Sequence, residues 1–297
     1  MELNQIRFLK LSQSKYICDY MKFRTFKISL CIIISLCFTQ IACTEENTNQ
    51  EAGTTGNDIT YTPNLSYNIL KKTAHDQNAF IEGLLIHNGK IIESTGSPLD
   101  MPQTKSVIGI LDTVKGKLNQ KLEIDTKLFG EGIVILNSKL YQLTYQARKG
   151  FVYDATTFKK LSEFTIPTNE GWGMTTDGTS LIMSDGTDKL TFINPENFSV
   201  SKTIQVTNEY GGVNYLNELE YVNGNIYANV YMTNNIMKID AANGKVLGKL
   251  DATNITNEVK SQYPSALEMN GIAYDQTRDV FLLTGKMWPL MYEIKIQ

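Results

Sequence analysis

Phe129-Gly130-Glu131-Gly132-Ile133-Val134-Ile135-Leu136 is the stretch on which the fold turns. A carboxylate stands between two glycines, and an apolar run that reads as a buried β-strand follows it. Asn137-Ser138-Lys139 then supplies a turn. Taken alone, an acid at the start of a strand is an ordinary solvated turn residue. The chain, however, repeats this arrangement five times.

The openings are Glu82-Gly83-Leu84, Glu131-Gly132-Ile133, Trp172-Gly173-Met174, Asn217-Glu218-Leu219 and Asn270-Gly271-Ile272. After each comes an apolar strand and then a turn: Asn88-Gly89-Lys90, Asn137-Ser138-Lys139, Asp177-Gly178-Thr179, Asn223-Gly224-Asn225 and Gln276-Thr277-Arg278. Asn-Gly and Asp-Gly between apolar runs are strong hairpin signals. A second strand follows, then a third ending in a polar turn, as in Ile108–Asp112 and Ile236–Asp240, then a fourth, as in Lys160–Phe164 and Lys245–Lys249. Openings recur every 41 to 53 residues, the period of a β-propeller blade. The last unit ends after its third strand, Leu290–Ile294, and Tyr67–Lys71 resembles the missing fourth. The expectation is an all-β, five-bladed propeller over residues 59–297, its last blade completed by an N-terminal strand so that no sheet edge is left at the seam. A two-sheet sandwich is the alternative, and the repeat argues against it.

Composition agrees. The 297 residues include 15 Tyr and 12 Phe, with 21 Gly and only 7 Pro, which suits short strands joined by tight turns. Residues 1–43 read as a leader: a basic run Met21–Lys27, an apolar segment Ile28–Ala42, then Cys43. Ile41-Ala42-Cys43 resembles a bacterial lipobox, which implies a lipidated Cys43, with Met21 as the expected start. The polar stretch 44–58 reads as a flexible tether. The expected location is therefore outside the cytoplasm, lipid-anchored on the periplasmic or cell-surface face of the outer membrane. Without the leader's six basic and two acidic residues, the chain's 28 and 31 become 22 and 29, a net charge of −7. No basic cluster remains, so no nucleic-acid partner is expected. All four cysteines fall in the leader, and His75 and His87 are the only histidines. That excludes a cysteine nucleophile from the domain and argues against a multi-histidine metal site.

In a propeller the first strand of each blade lines the channel, so Glu82, Glu131, Trp172, Asn217 and Asn270 should converge at one mouth of it. The ends of second strands bring Tyr145, Tyr231 and Gly285-Lys286 to the same place. Acids, amides, a lysine and aromatics in one funnel suit a small molecule or a peptide end. Each also has a plainer reading, as a turn residue, an inter-blade packing ring or a solvated lysine.

The motifs Ala79-Phe80-Ile81-Glu82-Gly83-Leu84, Phe129-Gly130-Glu131-Gly132, Gly171-Trp172-Gly173, Leu216-Asn217-Glu218-Leu219-Glu220-Tyr221, Asn270-Gly271-Ile272-Ala273 and Thr284-Gly285-Lys286-Met287-Trp288-Pro289 occur in this order. Over residues 65 to 297 the chain resembles the plant-type glutaminyl-peptide cyclotransferases, a β-propeller family. The resemblance implies conversion of an N-terminal glutamine to pyroglutamate with release of ammonia, on peptide or protein substrates. It implies Glu131 as proton shuttle, with Asn217 and Lys286 polarising the amide oxygen. Phe80, Phe129, Tyr145, Trp172 and Tyr231 would form an aromatic cage, with Glu82 and Asn270 as further substrate-binding groups. No cofactor or catalytic metal is expected, a structural calcium in the channel is left open, and the expected state is a monomer.

Three departures stand out. The family's Phe-Thr-Gln-Gly is Phe80-Ile81-Glu82-Gly83 here, Tyr145 and Tyr231 replace tryptophans, and Ser97–Pro102 lacks the usual Tyr-Gly-Ser. Two other functions remain open: a lipid-anchored module that binds peptide N-termini without turnover, and a lactonase-like propeller holding calcium through Glu82, Glu131, Asn217 and Asn270.

Overall fold

The computed structural model describes residues 61–297. The leader, Cys43 and the tether lie outside the described residues. Four-stranded antiparallel sheets follow one another along the chain and form a five-bladed β-propeller. Blade 1 holds Ile81–His87, Lys90–Thr95, Val107–Asp112 and Lys117–Glu123; blade 2 holds Gly130–Leu136, Lys139–Thr144, Lys149–Asp154 and Lys160–Thr165. Blade 3 holds Met174–Thr176, Leu181–Ser184, Lys189–Ile193 and Val200–Gln205, and blade 4 holds Leu216–Val222, Asn225–Val230, Asn235–Asp240 and Val246–Asp251. Blade 5 has Met269–Asp275, Val280–Gly285 and Leu290–Ile296 from the C-terminal end, and Tyr67–Ala74 pairs antiparallel with the last of these. The seam is thus closed by the strand expected to close it. The first strands of the blades neighbour one another in a ring.

Why the blades stack is plain from their inward-facing residues. Apolar side chains on adjacent sheets interdigitate into a separate core at each of the five interfaces. Between blades 2 and 3, for example, Val134, Tyr141, Phe164, Leu181 and Ile193 meet. Alternation along each middle strand supplies one set of side chains to each neighbouring blade, which is why these strands are apolar on both faces.

Some features were not expected. Asn64–Leu65 adds a short parallel strand to the outer edge of blade 4. A helix, Thr253–Gln262, joins blades 4 and 5 and buries Ile255 and Val259 in the core between them. A two-residue ribbon pairs Thr207-Asn208 with Gly211-Gly212. The blade 5 turn is longer than the spacing suggested, running to Asp279 (φ 52°), with the Asp275 carboxylate accepting from Thr277 N and Oγ1. Asn88-Gly89 and Asn223-Gly224 both have positive φ at the two turn positions, as type I′ hairpins require.

Candidate active site

A β-bulge at the start of the first strand presents the functional side chain in four of the blades. In blade 1, Ile81 pairs with Thr95 and Gly83 with Ser94, which leaves Glu82 as the extra residue. Register shifts likewise fall between Gly130 and Ile133, Leu216 and Leu219, and Met269 and Ile272. They contain Glu131, Asn217 and Asn270. An extra residue re-aims its side chain out of the strand's alternation, so these groups leave the inter-blade cores and meet at the channel mouth. In blade 3 Trp172 occupies the equivalent place, with Trp172 N and the Gly173 carbonyl both bonded to Ser184.

Backbone contacts between blades hold the bulges in place. Gly132 N donates to Trp172 O at 2.7 Å. Ser94 Oγ donates to Glu131 O at 2.6 Å, and Ser184 Oγ to Asn217 O at 2.7 Å. Gly173 is glycine because of this closeness: a Cβ there would lie 2.0 Å from Asn217 O. Below the mouth, the buried Glu218 carboxylate accepts from Ile272 N (2.7 Å) on blade 5 and Leu84 N on blade 1. It ties three blades across the channel.

Lys286, the first residue after the second strand of blade 5, donates to Glu82 Oε1 at 2.7 Å, and both residues are buried. Asn270 Nδ2 donates to Glu82 Oε2 (3.0 Å) and to Ile81 O (3.1 Å). The ammonium also lies 4.6 Å from the centre of the Phe80 ring and 5.2 Å from that of Tyr231, within range of a cation–π attraction. Around it stand Phe80 and Phe129 (centroids 6.0 Å apart), Phe129 and Tyr145 (6.0 Å), and Trp172 and Tyr231 (5.6 Å). The Phe129 ring leans over Gly96, where a Cβ would be 2.1 Å from it.

Glu131 and Asn217 are different. They are only 5% and 3% exposed, yet among the described residues no protein group hydrogen-bonds the Glu131 carboxylate, and Asn217 Oδ1 has no partner. Buried polar groups are almost always paired within a protein, so two such groups on the bulges of blades 2 and 4 mark a place shaped for a polar ligand.

Electrostatics sharpen this. Burial pushes Glu131 well above the ordinary carboxylate range, and the nearby Glu82 and Glu170 raise it further against the pull of Lys286. Burial also raises Glu82, to about 7, although Lys286 works against it. Burial disfavours the Lys286 charge, but Glu82 and Glu131 more than offset this and its pKa ends above the usual value. One lysine between two enclosed carboxylates can pair closely with only one of them. Glu82 takes the ion pair, so Glu131 is the carboxyl that more readily holds a proton.

Contacts and charge link Phe80, Glu82, Phe129, Glu131, Tyr145, Trp172, Tyr231, Asn270 and Lys286 here, and Asn217 stands on the corresponding bulge of blade 4; two further residues were not singled out in the sequence. Glu170 accepts from Trp172 Nε1 (2.9 Å) and from Gln146 Nε2 (2.8 Å), and its charge reaches Glu131. Glu268 acts on Glu82 and Tyr231, and its carbonyl accepts from Lys286 N. Both stand two residues before a blade opening, the place held by Phe80 and Phe129 in blades 1 and 2, so the repeat itself contained the signal. Among the described residues, no three His, Cys, Asp or Glu side chains are grouped as a metal site would need.

A buried acid, amide and lysine in an aromatic funnel at the mouth of a closed β-propeller define a propeller with an enclosed polar site. The glutamine cyclotransferase family model matches residues 34–296. A glutaminyl-peptide cyclotransferase of Arabidopsis thaliana is 34% identical over 231 residues, spanning 77% of this chain and 71% of the relative. The crystal structure of Myxococcus xanthus glutaminyl cyclase superimposes with a TM-score of 0.71 at 30% identity, covering 80% of this chain and 98% of that one. The chain belongs to the glutamine cyclotransferase family.

Proposed function

We propose that this enzyme converts the N-terminal glutamine of peptides or proteins to pyroglutamate, with Glu131 carrying the proton. The observation that carries the reading is the buried Glu131 and Asn217, whose carboxylate and amide oxygen have no hydrogen-bond partner among the described residues, with the Lys286 charge acting on Glu131. The attacking group is the substrate's own α-amine, so the protein must fold the residue back, move one proton and stabilise one oxygen. The aromatic walls do the first by leaving a curled side chain as the conformer that fits.

As the α-nitrogen bonds to the side-chain amide carbon, Glu131 accepts a proton from that nitrogen. Negative charge grows on the amide oxygen, where the Asn217 amide and the Lys286 ammonium can meet it. The carbon–nitrogen bond to the departing group then breaks while Glu131 returns the proton, and ammonia leaves. A carboxyl raised above its ordinary range is the stronger base, which suits the first half of that transfer.

Incubation with a Gln-initiated peptide should release ammonia, and Glu131→Gln should lower kcat by at least about 100-fold. Undiminished turnover in Glu131→Gln would remove the shuttle role. Because the nucleophile is part of the substrate, we infer a reaction without a catalytic metal; full activity after exhaustive chelation is the expected result. We also infer export and lipidation at Cys43, which the mass of the mature N-terminal peptide would test.

A further inference from the structure

Five rim positions stand two residues before the blade openings: Phe80, Phe129, Glu170, Tyr215 and Glu268. In four blades the residue that ends or follows the second strand donates its N–H to the rim residue's carbonyl. The pairs are Gly96 with Phe80 (2.8 Å), Tyr145 with Phe129 (3.1 Å), Tyr231 with Tyr215 (2.8 Å) and Lys286 with Glu268 (2.9 Å). Phe80 and Phe129 pack into the cage, Glu170 holds Trp172, and Glu268 acts on Glu82. Tyr215 alone has no side-chain hydrogen bond or ring contact among the described residues, and it is 54% exposed.

Beside it, Met232 follows Tyr231 and is 68% exposed. Both residues hold the left-handed backbone, Tyr215 at φ 65° and Met232 at φ 63°, which is unfavourable for a bulky side chain. Blade 3 shows the low-strain solution at the matching turn position, Gly186 at φ 80°. Blade 4 instead keeps a methionine there with its side chain in solvent, so packing does not explain the choice. The two residues continue the cage wall outward: Trp172 meets Tyr231, and Tyr215 N donates to Gly186 O against which Trp172 lies.

We propose that Tyr215 and Met232 form an apolar lip that receives the side chain of the second substrate residue and favours a large apolar one there. This rests on the cyclase reading: a glutamine folded into the mouth must pass its carbonyl, and the chain beyond it, over the rim. Four of the five rim positions serve the inner site, and the lip is the apolar surface left beside the Trp172–Tyr231 wall.

The test measures ammonia release from tripeptide amides that differ only at the second residue (Gly, Phe, Lys or Glu), using the whole chain. The expected wild-type result is a kcat/KM for Phe about tenfold above Gly, as one aromatic contact allows. Tyr215→Ser should erase most of that ratio through KM, Tyr215→Phe should retain it, and Met232→Gly should reduce it while raising Tm, since glycine adopts this backbone without strain. An unchanged Phe-to-Gly ratio in Tyr215→Ser, or a wild-type preference for Lys or Glu, would overturn the lip. No ammonia from any of the four peptides would instead defeat the cyclase reading, and the lip with it.

Discussion

Replacing Glu82 by glutamine should move the acid limb of the enzyme's pH profile downward. In the native site Glu82 and Lys286 form a buried ion pair at 2.7 Å, so Glu131 sees a carboxylate and an ammonium close together. Glutamine keeps an oxygen for Lys286 and a similar shape, but it removes the negative charge. The like charge that raised its pKa is gone, and the Lys286 charge that lowers it is no longer offset.

For charges about 6 Å apart at an effective dielectric of about 20, one unit charge is worth about 2.8 kcal/mol, or about 2 pH units. Glu82 itself titrates at about 7 and is only partly charged near neutrality. The expected displacement is therefore smaller, about 1 to 2 units downward. The measurement is kcat/KM against pH, which reports the free enzyme. As pH falls, wild type should lose activity well above the ordinary carboxylate range, because Glu131 must give up its proton before it can accept one. A Glu82→Gln limb that stays in place or rises would refute the electrostatic link between the two carboxylates.

Lys286→Met should move the same limb upward, since two enclosed acids then face each other without a cation, and should lower kcat by about 100-fold or more as the oxygen loses its cation. Gly173→Ala forces a Cβ against Asn217 O at 2.0 Å, so a drop in Tm and at least about a tenfold loss of kcat are expected, from a residue that touches no substrate. Glu220, raised by burial to about 8 although Tyr274 N donates to it, binds its proton more tightly folded than unfolded. Stability should therefore decline as pH rises from about 4.5 to about 8, and Glu220→Gln should recover about 1–2 kcal/mol at pH 8 but little at pH 5, read from urea midpoints.

The fold was legible because five short repeats carried their punctuation in glycine and asparagine. Asn88-Gly89 and Asn223-Gly224 form the tight turns their residues demand. Gln276-Thr277-Arg278, which lacks that chemistry, marks the right turn, but the turn runs one residue further, to Asp279. The helix Thr253–Gln262 escaped notice because its stripe is only Ile255 and Val259, without an N-cap side chain. At the site, the spacing located Glu131, Asn217 and Lys286, but no spacing reveals which side chains bond one another. That Glu82 binds Lys286 and Asn270 holds Glu82 follows from the first and last blades, far apart in sequence, becoming neighbours where the ring closes. Glu218 was unreadable for the same reason. Its worth lies in two N–H groups on strands far away in sequence, Leu84 and Ile272.

The departure from the family at Glu82 therefore has a different meaning in three dimensions than in one. An acid in place of an amide next to a proton-carrying carboxylate would, as an isolated pair, only repel it and hold it protonated. Lys286 changes the balance. With Glu82 bonded to it, the cluster has room for one mobile proton, and the enclosure decides where that proton rests. Asn270 and Lys286 both donate to Glu82, while among the described residues no donor is bonded to the Glu131 carboxylate. Donors stabilise the ionised form, so the proton resides on Glu131. On the proposed mechanism, a substrate amine arriving as the free base then needs a Glu131 that has lost this proton before it can accept one from the α-nitrogen. Glu82 would thereby set the pH at which Glu131 can act as acceptor, tuning the working pH without entering the reaction.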